Sequence, residues 1–350
     1  GYPDAWAMQV TLALLALYSA LSRFKHADAT AAAGPLAPAA DAAVSRIVMP
    51  CLLAGVLLSA LLQGMAWQPL RAAMAGLPAH VWGLALLGLW GSYALRAERL
   101  RREWQTWGRA QRPGAPMPGW LASVDLFLAH NAALVLLPMR AGEAGYPWLL
   151  HRRFGIPVAD AVRSLVWLRL QDAAVLGLLG LLLLLPGPGW WRALAFAAGL
   201  LLMMLGLPWL SAQAGARWPR WQSLASTLTA HRADRLGWML CVANWCLKLL
   251  VLGGLLMMLA PLTLQQGWGA AVAGELAAAL PLQAPAGLGS YEAAIWAAGQ
   301  WLGASAAPAE LTAAALAVHG LSLASALLTF ALFRALDWLC RGLMSALRPH

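Results

Sequence analysis

Long stretches without a charged side chain dominate this chain. They run over 47–70, 72–95, 173–191, 193–216, 249–274 and 311–333. A helix needs about 20 mostly apolar residues to cross a bilayer, and each run is of that order. The run 249–274 reaches back through Lys248 to Gly237, so a helix is expected over about 236–260. Another is expected over 161–185, interrupted by Arg169 and Asp172. Shorter uncharged runs cover 126–139, 276–291 and 293–309. The runs are unbroken rather than alternating, which argues against a membrane barrel. An all-α, polytopic membrane protein is predicted. The uncharged run 5–22 has a short apolar core and no basic segment before it, so it reads as a weak extra helix rather than a cleaved signal. An Ala/Pro-rich linker follows over 26–44. The expected organisation is 1–46 as this helix and linker, 47–340 as the transmembrane domain and 341–350 as a cytoplasmic tail.

Composition agrees. Hydrophobic residues make up 61% and charged ones 11%, against about 25% charged in soluble domains. A soluble fold and disorder are both excluded. The net charge of +10 would suggest nucleic acid in a soluble protein. Here it reports topology and anionic headgroups instead, and no nucleic-acid partner is expected. Cys51, Cys241, Cys246 and Cys340 lie in apolar runs and form no CxxC pair, so they read as small packing residues. No metal or cofactor motif occurs. Many of the 20 tryptophans, among them Trp67, Trp104, Trp107, Trp120, Trp190, Trp191, Trp218, Trp221 and Trp338, sit at expected span ends. They read as an aromatic belt.

The basic residues set the topology. All but four of the 24 (Arg71, Arg192, Arg169 and Lys248) fall in groups that can share the cytoplasmic side. The stretches 97–120 and 140–163 are then both cytoplasmic, so 121–139 must enter and return. By the same logic 268–305 must enter and return from the opposite side. Two oppositely oriented re-entrant hairpins result, as in an inverted repeat. Irregular backbone at membrane depth survives only around an enclosed or watery cavity, so both tips should meet at one. The tips are alike. Leu137-Pro138 leads to Gly142-Glu143, and Leu280-Pro281 leads through Gly287 and Gly289 to Glu292.

Three motifs carry a resemblance to a known family. They are Asn131 through Pro138-x-Arg140-x-Gly142-Glu143, Arg169-Leu170-x-Asp172, and Gly287-Leu288-Gly289-Ser290-Tyr291-Glu292. Together with Tyr93-x-x-Arg96, the chain over about 47–340 resembles the lysylphosphatidylglycerol synthase transmembrane-region family, flippase-like membrane proteins. One departure is Ala286, where the family usually has glycine; another is 1–46, which has no counterpart there. The resemblance implies a core that translocates polar-headgroup lipids, expected in a bacterial inner membrane; Arg334, Arg341 and Arg348, which close the chain, put the C-terminus on the cytoplasmic side. Some members carry a C-terminal aminoacyl-transferase domain. This sequence ends at His350 directly after the last span, so aminoacyl-lipid synthesis is not expected of it.

Ionisable groups at bilayer depth are costly and mark candidate sites. Arg140 is a candidate for a lipid phosphate, with the helix starts after Gly142 and Gly289 favouring the same anion. The plainer alternative is an interfacial pair between Arg140 and Glu143. Arg169 and Asp172 share a helix face, as a salt bridge or a substrate contact. Lys248 needs a carboxylate, for which Glu275 and Glu292 are available. Glu143 and Glu292 shape the site or carry a coupling proton, although Glu292 could simply cap a helix. Asn131 and Tyr291 complete the substrate-binding candidates through their motifs, and His130 reads as a hydrogen-bonded core residue. A lipid flippase is the leading function. The alternatives are a non-catalytic partner of a lipid, hopanoid or polyprenyl-glycolipid enzyme, or a membrane-embedded lipid-modifying enzyme. The last is disfavoured because the acidic residues are scattered.

Overall fold

The computed structural model describes residues 67–109, 112–137, 142–184, 189–219, 222, 225–226, 234–279 and 285–346. The chain divides into two compact units, Gly1–Trp67 and Gln68–His350. The second unit holds nearly all of the described residues. Residues 1–46 and most of the expected span 47–70 lie outside them.

Ten α-helices and no strand occur among the described residues: α1 (Trp67–Ala75), α2 (Ala79–Glu103), α3 (Trp120–Leu136), α4 (Gly145–Phe154), α5 (Val158–Leu184), α6 (Gly189–Arg217), α7 (Arg235–Leu259), α8 (Leu264–Ala279), α9 (Ser290–Trp301) and α10 (Pro308–Ala346). Four of them, α5, α6, α7 and α10, are long and apolar enough to cross a membrane. The ends have local causes. Pro78 caps α2 with an extended backbone, so the run 72–95 is broken at Gly76–Pro78 and its helix begins later than the charge pattern suggests. The Asp234 carboxylate accepts the Gly237 N–H at 2.8 Å and starts α7. Gly155 ends α4 with a left-handed φ of 63°.

Two expectations change at this level. The stretch 97–120, expected as a basic loop, begins as helix: α2 continues to Glu103 and passes into a π-helical turn, Trp104–Gly108. Arg99 is thereby turned inward and is buried. The stretch 140–163 contains α4 and the start of α5. Its Tyr146, Leu150 and Ile156 pack with Trp104, Trp107 and Leu126 in a compact cluster. The Trp104 indole N–H donates to the Tyr146 hydroxyl at 3.1 Å. Trp104 and Trp107 are therefore core residues, not part of an interfacial belt. Trp120, Trp190, Trp191, Trp218 and Trp338 are exposed, as a belt requires.

The larger core lies around α7, which packs on α2, α5, α8 and α10. It includes Leu89, Trp167, Trp245, Leu249, Leu252, Leu256 and Ile295. In a bilayer lipid tails are as apolar as leucine, so close fit rather than transfer from water favours such packing. Small residues provide it. A Cβ at Gly88 of α2 would overlap the Val251 side chain of α7, and Gly253 of α7 faces the Gly267 backbone of α8. By contrast, α6 is the least buried of the four long apolar helices, with Leu194, Leu201, Leu202 and Leu205 facing outward. The order long helix, two short helices, long helix occurs twice, as α2–α5 and as α7–α10.

Candidate functional site

The inner faces of these two sets of helices line an open cavity of about 870 Å³. Six of the eight residues read from the sequence line it: Asn131 on α3, Glu143 before α4, Arg169 and Asp172 on α5, Lys248 on α7 and Tyr291 on α9. Glu292 sits behind Tyr291 and is buried. Arg140 lies outside the described residues.

The turn before α4 depends on one glycine. A Cβ at Gly142 would run into the backbone of Ala133 on α3, so only glycine lets the chain return this closely. That approach places Glu143 against α5, where the Arg169 guanidinium donates to it at 3.0 Å. Arg169 also donates to Asp172 at 3.4 Å and lies 3.2 Å from the His130 ring. The i, i+3 relation is thus real but is the weaker contact of Asp172. Its main partner is Arg99 of α2, at 2.8 Å. The same carboxylate oxygen accepts the Trp245 indole N–H at 3.1 Å and the Cys241 thiol at 3.5 Å. Three donors converge on one oxygen, which makes Asp172 the knot that joins α2, α5 and α7.

Lys248 finds its carboxylate in Glu275 of α8, at 2.6 Å. Of the two carboxylates available in the sequence, Glu292 has another role. Its Oε2 accepts the Gly289 N–H at 2.7 Å and so caps α9. Its Oε1 lies 2.6 Å from Nδ1 of His319 on α10. The other ring nitrogen of His319 donates to the Ala286 carbonyl at 3.1 Å. A carbonyl oxygen only accepts, so Nε2 carries a hydrogen and one further proton is shared between Nδ1 and Oε1. Tyr291 stacks on the His319 ring with centroids 4.2 Å apart, and Gly274 of α8 leaves room for the Tyr291 ring.

Ala286 itself has φ 56° and ψ 11°, a left-handed conformation that costs a non-glycine residue about 1–2 kcal/mol. The departure from glycine at this position therefore falls on a left-handed backbone that favours glycine. Gly287 and Gly289 follow with φ 76° and 83°. The His319 hydrogen bond helps to hold this turn against its strain.

Three residues of the site escape a reading of the sequence: His319 and Arg99 entirely, and Arg96 except as part of a motif. His319 has a visible signal, since it is an ionisable side chain inside the apolar run 311–333. Arg96 and Arg99 are hidden among the basic residues of the expected loop. No cluster of His, Cys, Asp and Glu able to hold a metal occurs among the described residues.

The sequence profile described as the lysylphosphatidylglycerol synthase TM region matches residues 47–336. The chain belongs to that family. The lysylphosphatidylglycerol synthase TM region is a membrane domain associated with lipid flippase-like function, and the charged, helix-lined cavity is in keeping with it. The match takes in both short-helix pairs and the whole cavity lining, and leaves out the N-terminal 46 residues. No curated protein and no solved structure matches the chain.

Proposed function

We propose that this protein is a lipid transporter that moves a polar-headgroup lipid, anionic or aminoacylated, across a bacterial inner membrane, and that it is not an enzyme. The observation that carries this reading is the cavity: charged side chains from α2, α5, α7 and α8, most of them in ion pairs, line it within an otherwise apolar helix assembly. An unpaired ion in hydrocarbon costs many kcal/mol. A polar chamber lowers that barrier for a headgroup while the acyl tails stay in lipid. In this reading α3–α4 and α8–α9 are re-entrant hairpins that enter from opposite faces, related as inverted repeats, with the binding site where they meet. The C-terminus is cytoplasmic, and the substrate-binding residues are Asn131, Arg140, Glu143, Arg169, Asp172, Lys248, Tyr291 and Glu292.

Re-entry has a direct test. In a chain otherwise free of cysteine, Ala115→Cys and Ala159→Cys are expected to react with an impermeant thiol reagent from the same face. Reaction from opposite faces overturns the hairpin topology. The function is tested by reconstituting the protein in liposomes with headgroup-labelled lipids. Movement of label between leaflets without chemical change is the expected result. A changed lipid would make the protein an enzyme. Neither movement nor change would favour a supporting role beside a lipid-biosynthetic enzyme.

A further inference from the structure

Most ionisable groups at the cavity are locked by a lasting charge. Asp172 is held by Arg99, Glu143 by Arg169 and Glu275 by Lys248. The Arg169 guanidinium also lies 3.2 Å from Nε2 of His130. A guanidinium only donates, so that nitrogen accepts and the His130 ring is neutral. One pair differs. Glu292 faces an imidazole, the side chain whose ordinary charge change falls near neutral pH. His319 lines the open cavity, and Glu292 is buried behind it. A proton leaving the pair exits by way of the cavity.

The proton between Nδ1 and Oε1 is what permits their approach to 2.6 Å. Without it two lone pairs face each other, the pair is negative, and the two atoms must part. Oε2 of Glu292 can keep the Gly289 N–H, so the ring moves, and with it the bond to Ala286, which also lines the cavity. Loss of the proton thus alters both the charge and the shape of the wall. The charge matters for a headgroup. Among the described residues the charged side chains lining the cavity balance, Arg96, Arg169 and Lys248 against Glu143, Asp172 and Glu275. Tyr93 of α2 and Tyr291 of α9 add phenols to the wall, and α3 presents Asn131. Within two turns of His319, α10 carries no other ionisable side chain. A protonated pair keeps the balance, and a deprotonated pair makes the wall negative. An anionic headgroup and the proton therefore favour each other's binding, and the coupling is reciprocal.

We propose that the His319–Glu292 pair is a proton-binding site through which an anionic lipid headgroup and a proton cross together. This rests on the lipid-transport reading and adds its driving ion. The proton is taken up at the pair from the side where the headgroup enters and is released to water on the other side.

The test uses the full chain in vesicles of phosphatidylcholine with a minor share of phosphatidylglycerol. Valinomycin and equal potassium on both sides hold the potential at zero. The probe is a trace of phosphatidylglycerol with a fluorescent acyl chain, and protein-free vesicles set the baseline. Under a pH difference of about one unit, coupled movement draws the probe into the leaflet on the alkaline side, by up to about tenfold for one proton per lipid. This holds whichever way the protein is inserted. A ratio of roughly threefold or more is expected, falling to the baseline when nigericin collapses the pH difference. Glu292→Gln keeps an oxygen for the Gly289 N–H but cannot release the proton. It should stay at the baseline ratio yet still exchange labelled for unlabelled lipid without a gradient, which a misfolded protein does not do. His319→Gln is the second variant, with the same expectation. An even distribution of a probe that the unaltered protein does move overturns the proposal and leaves transport standing. Accumulation on the acidic side overturns it, as does an asymmetry that survives either variant. Loss of exchange in both variants gives the pair a structural role and overturns the coupling. Movement of fluorescent lysyl-phosphatidylglycerol but not of phosphatidylglycerol removes this proposal alone. If neither lipid moves in any vesicle, the transport reading falls and this proposal with it.

Discussion

Replacing Asp172 with leucine is expected to cost about 3–5 kcal/mol of stability, the scale for stranding one member of a buried ion pair. The reason is the company the carboxylate keeps. Arg99 is 6% exposed and has Asp172 as its ion-pair partner at 2.8 Å. Without it, a full positive charge faces a packed interior. The Trp245 indole N–H and the Cys241 thiol lose their acceptor at the same time. Asp172→Asn keeps the shape and one acceptor oxygen but removes the charge, so it should recover only a small part of the loss. Thermal unfolding of the detergent-solubilised protein measures both. An Asp172→Asn protein that melts within a degree or two of the original would show that Arg99 is not held by charge, and that Asp172 is no knot between the three helices.

The second large effect concerns Lys248 and Glu275. Lys248→Met should destabilise the protein by about 3 kcal/mol or more, because Glu275 is left buried without its ion-pair partner. The double variant Lys248→Met/Glu275→Met should regain most of that loss, since an apolar pair of similar size is often as stable as a buried ion pair. Stability and transport then separate. If the pair contacts the headgroup, the double variant folds but transports poorly. If the pair only fastens α7 to α8, the double variant both folds and transports. A double variant no more stable than the single one would mean that Lys248 and Glu275 do not act as a pair.

Much of this arrangement is legible in the sequence. Runs without charge locate α5, α6, α7 and α10, because a long apolar helix leaves a signal at every position. The candidate residues Asn131, Glu143, Arg169, Asp172, Lys248 and Tyr291 all reach one cavity. They stand out because each is polar where a bilayer tolerates little polarity. Partners are harder to read. Sequence spacing offers Arg169 to Asp172 because the two are three apart, yet the shorter contact is with Arg99, 73 residues away. Periodicity shows which residues share a face but not which face lies opposite. The inward turn of Arg96 and Arg99 is masked by their basic neighbours, four of which (Arg101, Arg102, Arg109 and Arg112) do lie partly or fully exposed. Trp104 and Trp107 mislead in the same way, since an indole at a helix end suits either an interface or a core.

One imidazole, on His319, touches both ends of the strained turn, at Ala286 and through Glu292 at Gly289. The ring is rigid, so its two nitrogens move together with α10. Sliding α10 by one helical turn, about 5.4 Å, would exceed the reach of both. The turn must then travel with α10 as one body, or lose both attachments at once and relax from its left-handed backbone. One ring thus fastens the tip at two points, and a single proton sits on one of the fastenings.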